Sequence, residues 1–413
     1  MREHEITKID GGVTAAQGFE AASAAAHIKY EGRTDMALVF SKEPCVTAGT
    51  FTTNVVKAAP VIWDRDLVAG GAPAHAVIVN SGIANACTGQ EGMEYCRQTA
   101  EEAAKCLGIE ENSVLVGSTG VIGFQLPIDR IREGVRMLAL AKRPGLETGT
   151  EASKAIMTTD TVNKETAYTF EVGGKRAVIG GMAKGSGMIH PNMCTMLGYV
   201  TTDAAIRKDL LQKALGEIVQ ETFNMISVDG DTSTNDTLLV LANGLAGNDM
   251  IFDEESEDYA VFYTALRAVC RELAMKMAGD GEGCTKLIET RVINADSLEH
   301  ARILAKSVIT SSLTKAAVFG KDANWGRVLC ALGYSGVVFD PDHCDLYFGE
   351  GDDKLLIFTN GSAADYSEEK ATELLSGEKV VITADMHMGG AEAVAWGCDL
   401  TYDYVRINAD YRS

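Results

Sequence analysis

A chain of 413 residues is longer than one average domain, and it has room for two domains or for one large layered core. Its formal net charge of −21, with no basic stripe to relieve it, argues against binding to phosphate backbones or anionic membranes, and no apolar run approaches the length of a membrane span. With 46% hydrophobic and 23% charged residues it falls outside the disordered and fibrous classes, while 42 glycines point to many tight turns and backbone-lined sites.

The N-terminus opens with Met1-Arg2-Glu3-His4-Glu5, and no apolar segment of a secretory signal follows, so a cytoplasmic protein is expected. The short apolar runs Ala76–Val79 and Val114–Val116 end in polar or glycine-containing segments and read as buried strands. Gly92 to Leu107 reads as an amphipathic helix. Gly117-Ser118-Thr119-Gly120 reads as a turn after the strand at Val116, either structural or able to aim backbone N–H groups at a developing oxyanion. Pro127 suits the first turn of a further helix. Between Asp203 and Thr222, Leu211, Ala214, Leu215 and Ile218 recur at helical spacing, with Asp203 as the expected N-cap. Phe252 to Met277 is another predicted helix, and the alternation in Tyr404–Asn408 predicts a strand. Strands and amphipathic helices alternate without a repeat or a Pro/Ser linker, which gives an α/β fold class.

The ten cysteines lack any C-x-x-C pair and read as reduced, mostly buried thiols, not a zinc site or disulfide framework. Neither nucleotide fingerprint holds, because Gly279-Asp280-Gly281-Glu282-Gly283 follows a helix and no phosphate-loop pattern occurs. Asp229-Gly230-Asp231-Thr232-Ser233-Thr234-Asn235 imitates half a calcium loop, but Thr234 and Val240 stand where that loop needs Gly and Glu, so a capped turn is expected. Ser312-Leu313-Thr314-Lys315 has no companion motif and reads as structural. No resident metal or cofactor is expected.

Lys184-Gly185-Ser186-Gly187-Met188-Ile189-His190-Pro191-Asn192-Met193-Cys194-Thr195-Met196-Leu197, followed by Thr201-Thr202-Asp203, closely resembles the cleavage-site signature of the ornithine acetyltransferases. The resemblance extends through most of the chain. It includes Asn80–Gly89, Ser118–Gly123, Met157–Thr161, Ser227–Asp236, Gly279–Gly283, Asn324-Trp325-Gly326-Arg327 and Ile407–Tyr411. Two positions depart from the family pattern: Cys194 stands where Ala is usual, and Ala323 where Pro is usual. Neither removes a reacting group, although Cys194 introduces a thiol beside the scissile bond.

The resemblance implies a four-layer α/β/β/α sandwich cut before Thr195 into pieces 1–194 and 195–413, which stay associated as an α2β2 assembly and need not be domains. A Thr hydroxyl is a weak nucleophile until its proton is removed, and cleavage frees an α-amine whose reference pKa of about 7.7–8.0 suits that task. The implied activity moves the acetyl group of N-acetylornithine to glutamate through an acetyl-Thr195 ester, with acetyl-CoA as a candidate second donor. Thr119 and Gly120 would form the oxyanion hole, while Thr158, Lys184, Thr195, Glu282, Asn408 and Ser413 would contact substrate. A Lys and a Glu suit substrates that carry both a carboxylate and an ammonium. His190, five residues before Thr195, reads as structural or peripheral. The competing readings are a self-cleaving aminopeptidase or amidohydrolase that passes the acyl group to water, and an uncleaved metabolite-binding protein.

Overall fold

The computed structural model describes residues 5–190 and 196–410. One long strand, Met36–Phe51, organises the first part of the molecule. Successive strand residues face opposite ways, so Met36, Leu38 and Phe40 enter one hydrophobic cluster and Ala37 and Val39 another. Its register against Ala74–Ile83 slips between Phe40 and Cys45, and such an irregularity lets a strand bend. The first half pairs with Phe19–Ala24 and Ala74–Ile83, the second with Thr237–Ala242.

The nine-stranded sheet thereby divides into two layers. One contains Phe19–Ala24, Ala74–Ile83 and Val114–Val121. In the other, Ile6–Ile9, Lys164–Val172, Lys175–Lys184, Leu197–Thr202 and Thr237–Ala242 lie side by side, and the second half of the long strand closes the row. Between the layers Val77, Val79 and Leu115 meet Leu197, Tyr199, Leu239 and Leu241. Outside the first layer, Ile78 and Val116 pack with Cys96 and Ala100 of helix Gly89–Leu107 and with Ile131 and Val135 of helix Ile128–Ala141. Outside the second, Val200, Leu238 and Val240 share a cluster with Leu211 and Leu215 of helix Lys208–Glu221 and with Phe262 and Leu273 of helix Glu257–Gly279. This is the expected α/β/β/α sandwich.

A second, seven-stranded sheet is built mainly from residues 287–398, with Leu287–Ala295 paired in parallel to Lys379–Asp385 and antiparallel to Ala391–Cys398. Helix Glu257–Gly279 touches strands of both sheets, which explains why Val261, Leu266, Cys270 and Met277 are buried along its whole length. Helix Leu298–Thr310 packs against Leu287–Ala295 and Ala391–Cys398. The nine described cysteines are free thiols, and five of them are buried. Among the described residues no helix is long and apolar enough to cross a membrane.

Three local expectations are corrected. Gly117–Gly120 is not a turn: the strand continues to Val121, because Val79–Ile83 offers an uninterrupted parallel ladder. Asp203 is not an N-cap, since the helix begins at Lys208 and the Asp203 carboxylate instead accepts the N–H groups of Gln17 at 3.0 Å and Val178 at 2.7 Å. Tyr404–Asn408 lies within helix Tyr402–Asp410, started where the Thr401 hydroxyl accepts the Asp403 N–H at 3.2 Å and held as Tyr402 packs edge-on against Phe319.

Candidate active site

The chain on either side of positions 191–195 borders one cavity of about 140 Å³, through Ile189 before them and Met196 and Leu197 after them. Thr119, Gly120, Thr158, Lys184, Glu282 and Asn408 line it, brought from five separate segments of the sequence. Cys194, Thr195 and Ser413 lie outside the described residues.

Thr119 and Gly120 end the strand Val114–Val121, opposite Ser81 and Gly82. Gly120 has a φ of 130°, and a Cβ there would lie 2.2 Å from the Gly82 carbonyl carbon, so only glycine fits this approach. Asn235 braces the strand by donating its side-chain amide to Ser118 O at 2.8 Å and to Ala84 O at 2.6 Å.

On the other wall Asp160 acts as a hub. Its carboxylate accepts the N–H of Thr158 at 3.1 Å, the N–H of Gly185 at 2.7 Å and the Lys164 ammonium at 2.7 Å. Lys164 also pairs with Asp280 at 2.6 Å, and Lys184 lies 3.8 Å from Asp160. Burial alone would raise the Asp160 carboxyl, but Lys184, Lys164 and the Gly185 N–H together hold it below the usual carboxylate range. Burial lowers the pKa of Lys184, opposed by Asp160, so its ammonium holds its proton less firmly than an exposed lysine.

Glu282 stands just beyond the end of helix Glu257–Gly279, and its N–H is fixed on Ser186 O at 3.0 Å. Its carboxylate accepts the Asn408 side-chain amide at 2.7 Å, which ties the last described helix to the cavity. Gly187 leaves the room it needs, because a Cβ there would come within 2.3 Å of the carboxylate. Cation and anion thus share one small cavity, an arrangement that can hold an amino acid by both ends.

His190 does not line the cavity. Its Nδ1 is 3.1 Å from Ser227 Oγ and its carbonyl accepts the Thr232 hydroxyl at 2.9 Å, while burial and nearby Lys306 push its pKa down to about 4. The Asp229 segment is the capped turn expected, with its carboxylate accepting N–H groups from Met188, Ile189 and Asp231. Sequence reasoning assigned no role to Asp160, Lys164, Asn235 or Asp236, although three of them stand in motifs that carried the resemblance.

This layered fold, with polar groups from five segments converging on one small cavity, defines an enzyme that acts on small molecules. A family model described as the ArgJ family matches residues 20–413. A Symbiobacterium thermophilum protein named arginine biosynthesis bifunctional protein ArgJ is 54% identical over 405 residues, covering 98% of this chain and 99% of that protein. The chain belongs to the ArgJ family. It is also similar to a crystal structure of the arginine biosynthesis bifunctional protein argJ from Bacillus halodurans, with 47% identity and a TM-score of 0.50 over 52% of this chain and 98% of that one. A structure of ornithine acetyltransferase complexed with ornithine, from Mycobacterium tuberculosis, is 43% identical with a TM-score of 0.43, over 46% of this chain and 99% of that one.

Proposed function

We propose that this enzyme of arginine biosynthesis moves the acetyl group of N-acetylornithine to glutamate through an acetyl ester on Thr195, releasing ornithine. The observation that carries the reading is the convergence of Thr119, Gly120, Thr158, Lys184, Glu282 and Asn408 on the cavity bordered by Met196. Self-cleavage begins when the Thr195 hydroxyl attacks the Cys194 carbonyl in an N-to-O acyl shift, and water then separates the chains. The freed α-amine takes the hydroxyl proton in each later turnover. Attack on the acetyl carbon gives a tetrahedral oxyanion at Thr119 and Gly120, where loss of one donor costs about 2.7–4 kcal/mol of barrier. Collapse expels ornithine with the proton, and the glutamate amine then attacks the ester. Lys184 pairs with the substrate carboxylate and Glu282, steadied by Asn408, with the ornithine ammonium; Thr158 and Ser413 complete the contacts.

The length of the Bacillus halodurans chain supports cleavage: 98% of it matches 52% of this protein, so it is about half as long, as one piece of a cut chain would be. The two pieces remain together, with an α2β2 assembly in the cytoplasm as the family expectation. No cofactor takes part, and acetyl-CoA is a candidate second donor.

The test is an intact-mass measurement followed by incubation with N-acetylornithine, with and without glutamate, and separately with acetyl-CoA and glutamate. Two fragments meeting at Thr195 and glutamate-dependent release of ornithine are expected. Release of ornithine and acetate at a rate indifferent to glutamate would make the enzyme a hydrolase, and an uncleaved inert chain would make it a binding protein. Thr195→Ala should be uncleaved and inactive, and Thr195→Ser should retain part of both activities; cleavage of the Ala variant at the same bond refutes the nucleophile assignment.

A further inference from the structure

Cys284 and Cys398 come from distant parts of the sequence and meet behind the turn that carries Glu282. Cys284 closes that turn, its N–H donating to Gly281 O at 3.0 Å while Gly283 takes a left-handed φ of 68°. Cys398 ends the strand Ala391–Cys398, where it pairs with Leu287. One residue further on, the Asp399 carboxylate accepts the N–H of Thr285 at 2.8 Å and its hydroxyl at 2.5 Å, which laces the turn to the end of the strand. The two thiols hydrogen-bond to each other, and both are free. Gly281 leaves Cys398 open toward the turn, because a Cβ there would come within 2.7 Å of the Cys398 Sγ.

The two sulfurs suit different parts in an oxidation. The hydrogen bond from Cys284 lowers the Cys398 thiol below its ordinary value, with burial opposing and Lys315 assisting, and the thiolate is the form that reacts. Cys284 is only half-buried, which gives a small oxidant access to the pair. A disulfide needs its sulfurs about 2.05 Å apart, closer than hydrogen-bonded thiols stand, so one partner must move. Cys398 is held in a strand paired with Leu287–Ala295, whereas Cys284 sits in a turn, and the turn is the part that yields. That turn is pressed on the helix Tyr402–Asp410: a Cβ on Gly283 would come within 2.7 Å of the Asp403 Cβ, and the Gly283 carbonyl accepts the Thr401 hydroxyl at 2.6 Å. The same helix carries Asn408, which donates to the Glu282 carboxylate.

We propose that Cys284 and Cys398 form an oxidation site: a peroxide joins them in a disulfide, which draws the turn toward the strand and displaces Glu282 from the cavity. The effect on catalysis rests on the reading of Glu282 as a substrate contact, whereas the disulfide does not. In the first step the Cys398 thiolate takes one oxygen of the peroxide as the O–O bond breaks, giving a sulfenic acid and hydroxide, and the hydroxide takes up the proton that the thiol released. The Cys284 thiol then attacks that sulfur. The S–S bond forms, the S–O bond breaks, and the oxygen leaves as water with the Cys284 proton. The two sulfurs lose two electrons between them, and the peroxide is reduced to two waters.

The experiment treats the native enzyme with hydrogen peroxide, blocks the remaining thiols with iodoacetamide and maps the peptides by mass. Amide hydrogen exchange across residues 280–285 and steady-state kinetics are measured on the same samples. Expected are a linked peptide joining Cys284 to Cys398, lighter by two hydrogens than its reduced parts, and altered exchange in the turn. The kcat/KM for N-acetylornithine should fall roughly tenfold or more, and dithiothreitol should restore all three. Cys284→Ser should start with near wild-type kinetics, form no link and keep its kcat/KM through the treatment; Cys284→Ala replaces it if the Ser variant does not fold. Absence of the linked peptide from folded wild type overturns the proposal. So does a link that leaves the exchange or the kcat/KM of an active enzyme unchanged, or a Cys284 variant inactivated like wild type, which would place the damage at another thiol such as the exposed Cys87, Cys106 or Cys330. Wild type that forms the link and alters its exchange but transfers no acetyl group refutes the acetyl-transfer reading and leaves the oxidation site in place.

Discussion

Replacing Lys164 with Met removes the cation that joins two buried carboxylates behind the cavity. Lys164 and Asp160 have fully buried side chains and Asp280 is 8% exposed, with ion-pair distances of 2.7 and 2.6 Å. Deleting one partner of a buried pair typically costs about 3–5 kcal/mol, because the remaining charge stays buried without compensation. The methionine fills similar volume, so little of that loss should come from a void. The folded pKa of Asp160 is depressed, so its contribution to stability is present above its unfolded value of about 3.9 and is lost as pH falls through the folded value. In the Met variant the carboxyl loses an attraction that offset its burial, and protonation relieves the strain. The stability gap between wild type and variant should therefore be widest near pH 7.5 and narrow toward pH 5. Urea denaturation midpoints of both proteins at the two pH values measure it, and adding Asp160→Asn should recover part of the loss. A gap below about 1 kcal/mol, or one that does not vary with pH, would refute the reasoning.

Gly187→Ala should fold, but its Cβ would come within 2.3 Å of the Glu282 carboxylate and displace it, lowering kcat/KM for N-acetylornithine roughly 10²-fold; unchanged kinetics would mean that Glu282 does not hold substrate. Deleting Ala409–Ser413 shortens helix Tyr402–Asp410 and leaves Asn408, which donates to Glu282 at 2.7 Å, at the chain end. Intact mass should show normal cleavage and steady-state assays a marked fall in kcat/KM, while an unchanged value contradicts the substrate role of the tail. His190 has a folded pKa of about 4 against an unfolded value of about 6.5, so the unfolded chain binds the proton first as pH falls and stability declines between those values. Discounted for its partial exposure, the decline is about 1–2 kcal/mol, and His190→Gln should remove it from pH-dependent melting; identical pH slopes in both proteins would show that the imidazole is not held neutral.

The elements legible in the sequence were those whose side chains repeat on one face. Helix Gly89–Leu107 was predicted from Gly92 onward, and the strand at Ala76–Val79 is the core of Ala74–Ile83. The errors fell where partners distant in sequence decide the local structure. Gly117–Gly120 carries the residues of a turn, yet the neighbouring strand supplies its hydrogen bonds. Alternation in Tyr404–Asn408 was outweighed by the Thr401 cap and the contact with Phe319. Six of the residues that the resemblance named, Thr119, Gly120, Thr158, Lys184, Glu282 and Asn408, line one cavity. Their support was not legible: Lys164 reads as an ordinary polar residue until its neighbours Asp160 and Asp280, which are far apart in sequence, are seen to enclose it.

The order of strands in the second layer bears on the cut proposed before Thr195. Leu197–Thr202 and Thr237–Ala242, which follow position 195, are inserted between Lys175–Lys184 and the long strand Met36–Phe51, which precede it. A cut before Thr195 would open the chain without creating a subunit able to drift away, because separation would tear two hydrogen-bonded ladders and expose the cores on both faces of the layer. Dilution should therefore not dissociate the halves as it would an ordinary heterodimer. Nor should either half, made alone, find its own fold: the first would lack the middle of its sheet, and the second would carry two strands with no flanks. In a chain cut there, the uncut polypeptide would have served as the template for its own assembly, needed while the sheet forms and dispensable afterwards.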